Sequence, residues 1–173
     1  MGVISRVAGT TGTAGSGGDD GPATDAQLNL PFGVTLTTDG GFLISDVLNN
    51  VVRKVSADGV ITRVAGTTGV SGSSGDDGPA TGAQLNVPGG VAVTADGGFL
   101  VIDTYNQVVR KVSAGGVITR VAGTTGVTGS AGDDGPATGA QLRYPSAVAV
   151  TADGGFLIAD TRNQVVRKVS AGG

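Results

Sequence analysis

An all-β repeat fold is predicted by three observations. The string Gly-Val-Ile-Ser/Thr-Arg-Val-Ala-Gly-Thr-Thr-Gly begins at Gly2, Gly59 and Gly116, a period of 57 residues in both steps. Each period holds four short runs of β-forming residues. Gly, Asp and Asn separate those runs at turn positions. The copies are 2–58, 59–115 and 116–172, and they align without a gap.

The elements can be justified in order on the second copy. Val91-Ala92-Val93-Thr94 is a short apolar run, followed by the hairpin signal Asp96-Gly97-Gly98. Phe99 to Ile102 is a second strand. Asp103-Thr104-Tyr105-Asn106 reads as a turn, because Asp and Asn bond their own backbone. Val108 to Val112 is the third strand, Ala114-Gly115-Gly116 turns again, and Val117 to Val121 is the fourth. The long connection that follows, Thr124 to Pro145, carries Gly132-Asp133-Asp134-Gly135-Pro136 and then Ala and Gln. Pro at a first helical position predicts about two helical turns there, with Asp133 or Asp134 at the N-terminus and Leu142 pinning the segment down.

Four antiparallel strands recurring at a regular period predict a β-propeller with three four-stranded blades per chain. A lone blade cannot bury both faces, so blades must stack. A β-solenoid fits less well, because its repeat is shorter and lacks three hairpin turns.

Composition narrows the chemistry. The 173 residues contain 33 Gly, yet 39% are hydrophobic, so the strands are built from Val, Ile, Leu and Ala, as a packed fold requires. Cys and His are absent, and all 14 acidic residues are Asp. Disulfides, redox thiols and imidazole bases are therefore excluded, and no cofactor is expected. A net charge of −3 argues against a nucleic-acid partner, and no apolar run has the length of a membrane span. Gly2-Val3-Ile4 follows Met1 directly, so no signal peptide is expected, and both ends read as cut points of an excised or designed chain.

The combined pattern Asp-x-x-Asn-x-x-Val-Arg-Lys-Val, Gly-Val-Ile-Thr-x-Val-Ala-Gly and Gly-Asp-Asp-Gly-Pro-Ala-Thr-x-Ala-Gln-Leu resembles bacterial NHL-repeat proteins. It is carried by Asp103 to Gly123 and Gly132 to Leu142, with equivalents in the other copies. The resemblance implies a six-bladed propeller, an extracellular or cell-surface setting and a binding-platform role. Related propellers that are metal-dependent lyases or lactonases carry His or Glu in the central channel; this chain has neither. RNA binding, known for some animal relatives, needs a basic aromatic face that is not found here.

Three copies and six blades imply a two-fold homodimer. Val3 to Val7 is an orphan fourth strand, and the last copy ends on Val165 to Val169 without one. Val3, Ile4 and Val7 are therefore expected to pair with Val165, Val166 and Val169 of a second chain.

Many of the differences among the copies fall in the segments of one propeller face, among them Asn29/Asn86/Arg143, Leu30/Val87/Tyr144, Phe32/Gly89/Ser146, Ser45/Ile102/Ala159 and Leu48/Tyr105/Arg162. Tyr105, Tyr144, Arg143, Arg162, Phe32 and Leu48 are the candidate ligand contacts, suited to a peptide, glycan or anion. Drift on solvated loops would produce the same variation. The pairs Asp19-Asp20, Asp76-Asp77 and Asp133-Asp134 could begin a calcium site, although capping beside Gly-Pro accounts for them equally. Asp46, Asp103 and Asp160 with Asn49, Asn106 and Asn163 fit turn hydrogen bonding. Arg53, Arg110 and Arg167 are expected in inter-blade ion pairs with repeated aspartates. No catalytic residue is assigned.

Overall fold

The computed structural model describes residues 1–171, so the expected repeat end at 172 lies outside the described residues. The β-forming runs gather into three antiparallel sheets. The first has the order β1-β5-β4-β3-β2, from β1 (Gly21–Pro22), β2 (Pro31–Leu36), β3 (Phe42–Asp46), β4 (Val51–Val55) and β5 (Val60–Ala65). The second repeats it as β6-β10-β9-β8-β7, from β6 (Gly78–Pro79), β7 (Pro88–Val93), β8 (Phe99–Asp103), β9 (Val108–Val112) and β10 (Val117–Ala122). The third contains only β11 (Ala147–Val150), β12 (Phe156–Asp160) and β13 (Val165–Val169).

All four strands expected in the second copy are present. β7 starts at Pro88, ahead of the expected Val91, because Pro88 pairs with Asp103 across a register shift that ends at Val91. The hairpin turns are held locally. In the β7–β8 turn, Thr94 Oγ1 and the Gly98 N–H both donate to Asp96 Oδ1, at 2.6 and 3.2 Å.

The helix expected at Pro136 does not form. Ala137–Gly139 and Ala80–Gly82 are single 3-10 turns, and the preceding Gly-Pro forms a fifth strand in the first two sheets. Pro79 sits at φ −59°, ψ 126°, an extended conformation that suits an edge position needing no donor. Ala83, at ψ 159°, leaves the helical region at once. The Asp pair caps nothing. Asp77 has φ 63° and Asp134 φ 61°, so the chain turns sharply before the Gly-Pro. Leu142 does pin the segment: it is buried among Val109, Ala122 and Ile158.

The core lies between sheets. Leu43, Val52 and Ala65 of the first sheet meet Val91, Val101, Val112 and Ile118 of the second. Leu100, Ile102 and Val109 of the second meet Phe156 and Ile158 of the third. Inner strands approach closely because Gly33 and Gly90 lack a side chain; a Cβ on Gly90 would come within 2.9 Å of Ala147 Cα. The three sheets do not close into a ring. Val3 to Val7 lies outside any strand, with Val3 and Ile4 exposed.

Candidate functional site

The turns that join β3 to β4, β8 to β9 and β12 to β13 each begin at a buried aspartate: Asp46, Asp103 and Asp160. Its Oδ1 accepts the N–H of Asn29, Asn86 or Arg143 at 2.7, 2.8 and 2.7 Å. Its Oδ2 accepts from Asn49, Asn106 or Asn163 Nδ2 at 2.8 Å in each copy. The turn-bonding role expected of these Asp and Asn residues is thus what the geometry shows. A buried guanidinium completes the network. Arg110 Nη1 donates to Gln84 O at 2.8 Å and lies 3.6 Å from Asp103 Oδ2, while Nε donates to Asp76 Oδ1 at 2.9 Å.

This corrects two expectations. The ion pair joins an Arg to the aspartate just ahead of the fifth strand of its own sheet, so it lies within a sheet rather than between sheets. In each repeated pair the first aspartate is committed to that cation: Asp19 to Arg53, Asp76 to Arg110 and Asp133 to Arg167, at 2.7, 2.8 and 2.7 Å. Asp20, Asp77 and Asp134 turn the chain instead. No cluster of three His, Cys, Asp or Glu residues suited to a metal occurs among the described residues.

Burial pushes the Asp103 carboxyl up to about 6, against the pull of Asn106, the Asn86 N–H and Arg110. Asp46 is raised for the same leading reason. Hydrogen bonds from Lys54, Lys111 and Lys168 instead hold Asp39, Asp96 and Asp153 well below the usual carboxylate range. The signs oppose each other. Between about pH 6 and 4 the folded chain binds more protons at Asp103 than the unfolded chain, so this group stabilises as pH falls. The hairpin aspartates contribute stability above about pH 4 that is lost on further acidification. Melting followed by circular dichroism is expected to show no loss between pH 7 and 5, then a clear fall toward pH 3. A gain in stability from pH 7 to 5 would mark proton uptake by the raised Asp103 carboxyl, whereas a flat profile over that range would show that Asp103 remains charged.

Above this network lie the residues that differ among the copies. Leu30, Val87 and Tyr144 have φ of 56, 56 and 48°, and each precedes a proline. A β-branched or bulky side chain is strained there. The strain is held across sheets: the Val87 N–H donates to Asn50 Oδ1 at 3.0 Å, and the Tyr144 N–H to Gln107 Oε1 at 2.6 Å. Asn50 and Gln107 were not singled out in the sequence. The available signal was an amide directly after Asn49, Asn106 and Asn163 in every copy.

The structure brings Tyr105, Tyr144 and Arg162 together. The Tyr105 and Tyr144 rings meet edge to face, with centroids 5.5 Å apart and planes at 86°. Arg162 Cζ lies 5.1 Å from the Tyr144 ring centroid. Backbone bonds fix the loops beneath them: Tyr105 N to Asn86 O at 3.1 Å, and Arg162 N to Arg143 O at 3.0 Å. Both rings remain partly exposed. Phe32, Leu48 and Arg143 are exposed and take no part in the stacking.

No family model matches the chain. A solved protein of unknown function from Bacteroides thetaiotaomicron superposes with TM-score 0.71 at 26% identity, covering 81% of this chain and 34% of that one. The three sheets are propeller blades. An auxiliary nutrient binding protein from Bacteroides ovatus shares the fold, with TM-score 0.66 and 21% identity over 86% of this chain and 39% of that chain. So does a gluconolactonase from Xanthomonas campestris, with TM-score 0.53 and 15% identity over 76% of this chain and 35% of that chain. Among curated proteins, Protein SUPPRESSOR OF QUENCHING 1, chloroplastic, of Arabidopsis thaliana is 34% identical over 96 residues, which is 56% of this chain and 9% of that protein. The chain therefore spans between 34% and 39% of these three solved chains and a tenth or less of the curated ones.

Proposed function

We propose that the chain is a non-catalytic binding propeller, six-bladed when two copies meet, whose ligand lies against Tyr105, Tyr144 and Arg162. One observation carries this reading. An edge-to-face aromatic pair with a guanidinium over one ring stands exposed on strained, cross-braced loops. The rings offer apolar faces and hydroxyls, and the guanidinium offers planar donors for a carboxylate or similar anion. An anionic glycan or an acidic peptide fits this chemistry, and the exposed Arg143, Phe32 and Leu48 are proposed to extend the same face. An extracellular setting belongs to the same proposal.

Propellers of this fold include both nutrient-binding proteins and a gluconolactonase, so the fold alone decides nothing. The residues favour binding. Asp103 is fully buried, and its place is repeated by the equally buried Asp46 and Asp160, which makes it architecture rather than an accessible acid.

Glycan and peptide arrays should be probed with the parent and with the Tyr105→Ala/Tyr144→Ala double variant. Both side chains lie outside the strand ladders, so melting should be unchanged. Binding should fall by about tenfold or more, as for paired aromatic hot spots. Equal signals from the two proteins would reject the site.

A further inference from the structure

The third blade ends in an open groove of about 750 Å³. Val165 to Val169 of β13 line one side, Gly135 and Pro136 the other, and Leu142 and Ile158 the floor. In the first two blades a strand fills this place. β5 runs between β4 and Gly21–Pro22, and β10 between β9 and Gly78–Pro79. The third blade thus holds both walls of the slot without its strand.

We infer that the slot is a strand-acceptor site for Val3 to Ala8 of a second copy of this chain, donated reciprocally. The inference rests on the two-copy ring proposed above and supplies its mechanism. Residues 3–8 occupy the same repeat positions as β5 and β10, differing only by Ser5 for Thr. Among the described residues theirs is the one stretch with this sequence outside a sheet.

Their exit geometry is already that of a donated strand. The Gly9 N–H donates to Ala23 O at 2.8 Å, as Gly66 does to Ala80 O and Gly123 to Ala137 O, both at 2.9 Å. Arg6 Nη1 donates to the carbonyls of Gly9 and Thr24, as Arg63 does to those of Gly66 and Thr81. β5 leaves the first blade and enters the second through these contacts. Val3 to Ala8 is therefore held where the outer strand of a blade preceding the first would run.

Burial agrees position by position. Ile61 and Ile118 are 0% exposed, but Ile4 is 99% exposed; Val52 and Val109 are 0% exposed, but Val166 is 68% exposed. The free face of blade 1, with Val34 and Phe42, is equivalent to the face that blade 2 turns toward blade 1. The free face of blade 3 is equivalent to the one that blade 1 turns toward blade 2. Two copies therefore present the same pair of surfaces that already form the internal seams. The β9–β10 register places Ile4 opposite Val169 and Arg6 opposite Arg167. Gln164 then stands where Asn50 and Gln107 stand, ready to accept the Leu30 N–H of the second copy. One local difference follows. Ala147 carries a methyl where Gly33 and Gly90 have none, so the seam between copies sits wider than the internal seams.

Ile4→Asp disables the donor, and Val166→Asp disables the acceptor. Both positions are exposed in the single chain, so each variant should keep the parent's circular dichroism. Light scattering should give the parent twice the 16.7 kDa chain mass. Each variant should associate at least about a hundredfold more weakly, because a buried side chain is lost at both closures. Mixing the two variants should restore a pair with one intact closure, which misfolded chains could not do. A synthetic peptide of residues 116–123 should compete with parent association. A parent monomer at micromolar concentration would reject both the two-copy ring and the slot. A parent dimer indifferent to Ile4→Asp and Val166→Asp would reject the slot alone, and open chains longer than two would reject reciprocal closure.

Discussion

Arg110→Ala is expected to destabilise the chain by about 3–5 kcal/mol, the range for removing one partner of a buried ion pair. Arg110 is 1% exposed, and its guanidinium meets Asp76, Gln84 O, Ser74 O and Asp103. Without it, Asp103 remains fully buried with no cation, and two carbonyls lose their donors. Arg110→Lys should recover only part of the loss. An ammonium has no planar fork and cannot reach a carboxylate and two carbonyls on separate segments together. Urea denaturation measures the effect. Lys111→Ala, which removes the solvent-exposed pair with Asp96, should cost no more than about 1 kcal/mol. A small loss for Arg110→Ala would mean that Asp103 takes up a proton and the site repacks. The pH profile of that variant would show it.

The second large effect is expected at Gly66, where the outer strand leaves the first blade. Its φ is +87°, and an added Cβ would overlap the Asn50 carbonyl oxygen and lie 2.9 Å from Val51 Cα. Gly66→Ala thus combines left-handed strain, about 1–2 kcal/mol, with overpacking against backbone, about 1–3 kcal/mol. Gly59→Ala isolates the first cost. Gly59 has φ +80° but nothing within 4 Å of its Cβ position. Thermal or urea unfolding should therefore rank Gly66→Ala well below Gly59→Ala, with parent highest. Equal losses would mean that the Asn50 turn yields to the methyl, and Val87, which leans on Asn50, would then be displaced as well.

The two largest effects fall on residues of different legibility. Arg110 is visible in the sequence as a charge repeated inside a strand, and an aspartate partner is the natural expectation. Which aspartate, and in which blade, was not visible, because Arg110 and Asp76 are 34 residues apart. The proposed binding face was legible as a set of positions that differ among similar copies. That Tyr105 and Tyr144 stack, while Phe32, Leu48 and Arg143 stand aside, depends on where neighbouring blades place their loops. The cross-blade amides of Asn50 and Gln107 went unnoticed for the same reason. Side-chain type shows that an amide can accept a hydrogen bond, but not that a strained N–H of the next blade points at it.

By itself the sequence determined the repeat length, the strand positions and their turns. These are short-range matters: two-residue periodicity, β-branched composition and Asp-Gly-Gly punctuation act within a few residues of one another. Tertiary structure alone decided the rest. The helix expected after Pro136 gave way to a 3-10 turn, and in the first two blades the Gly-Pro ahead of it became an edge strand. There its extended backbone pairs with a strand far along the chain, a gain that exceeds the weak preference of a few residues for helix. Tertiary packing likewise set which isoleucine of three identical positions is buried. Ile61 and Ile118 have a paired strand on both sides, and Ile4 has none until another surface meets it.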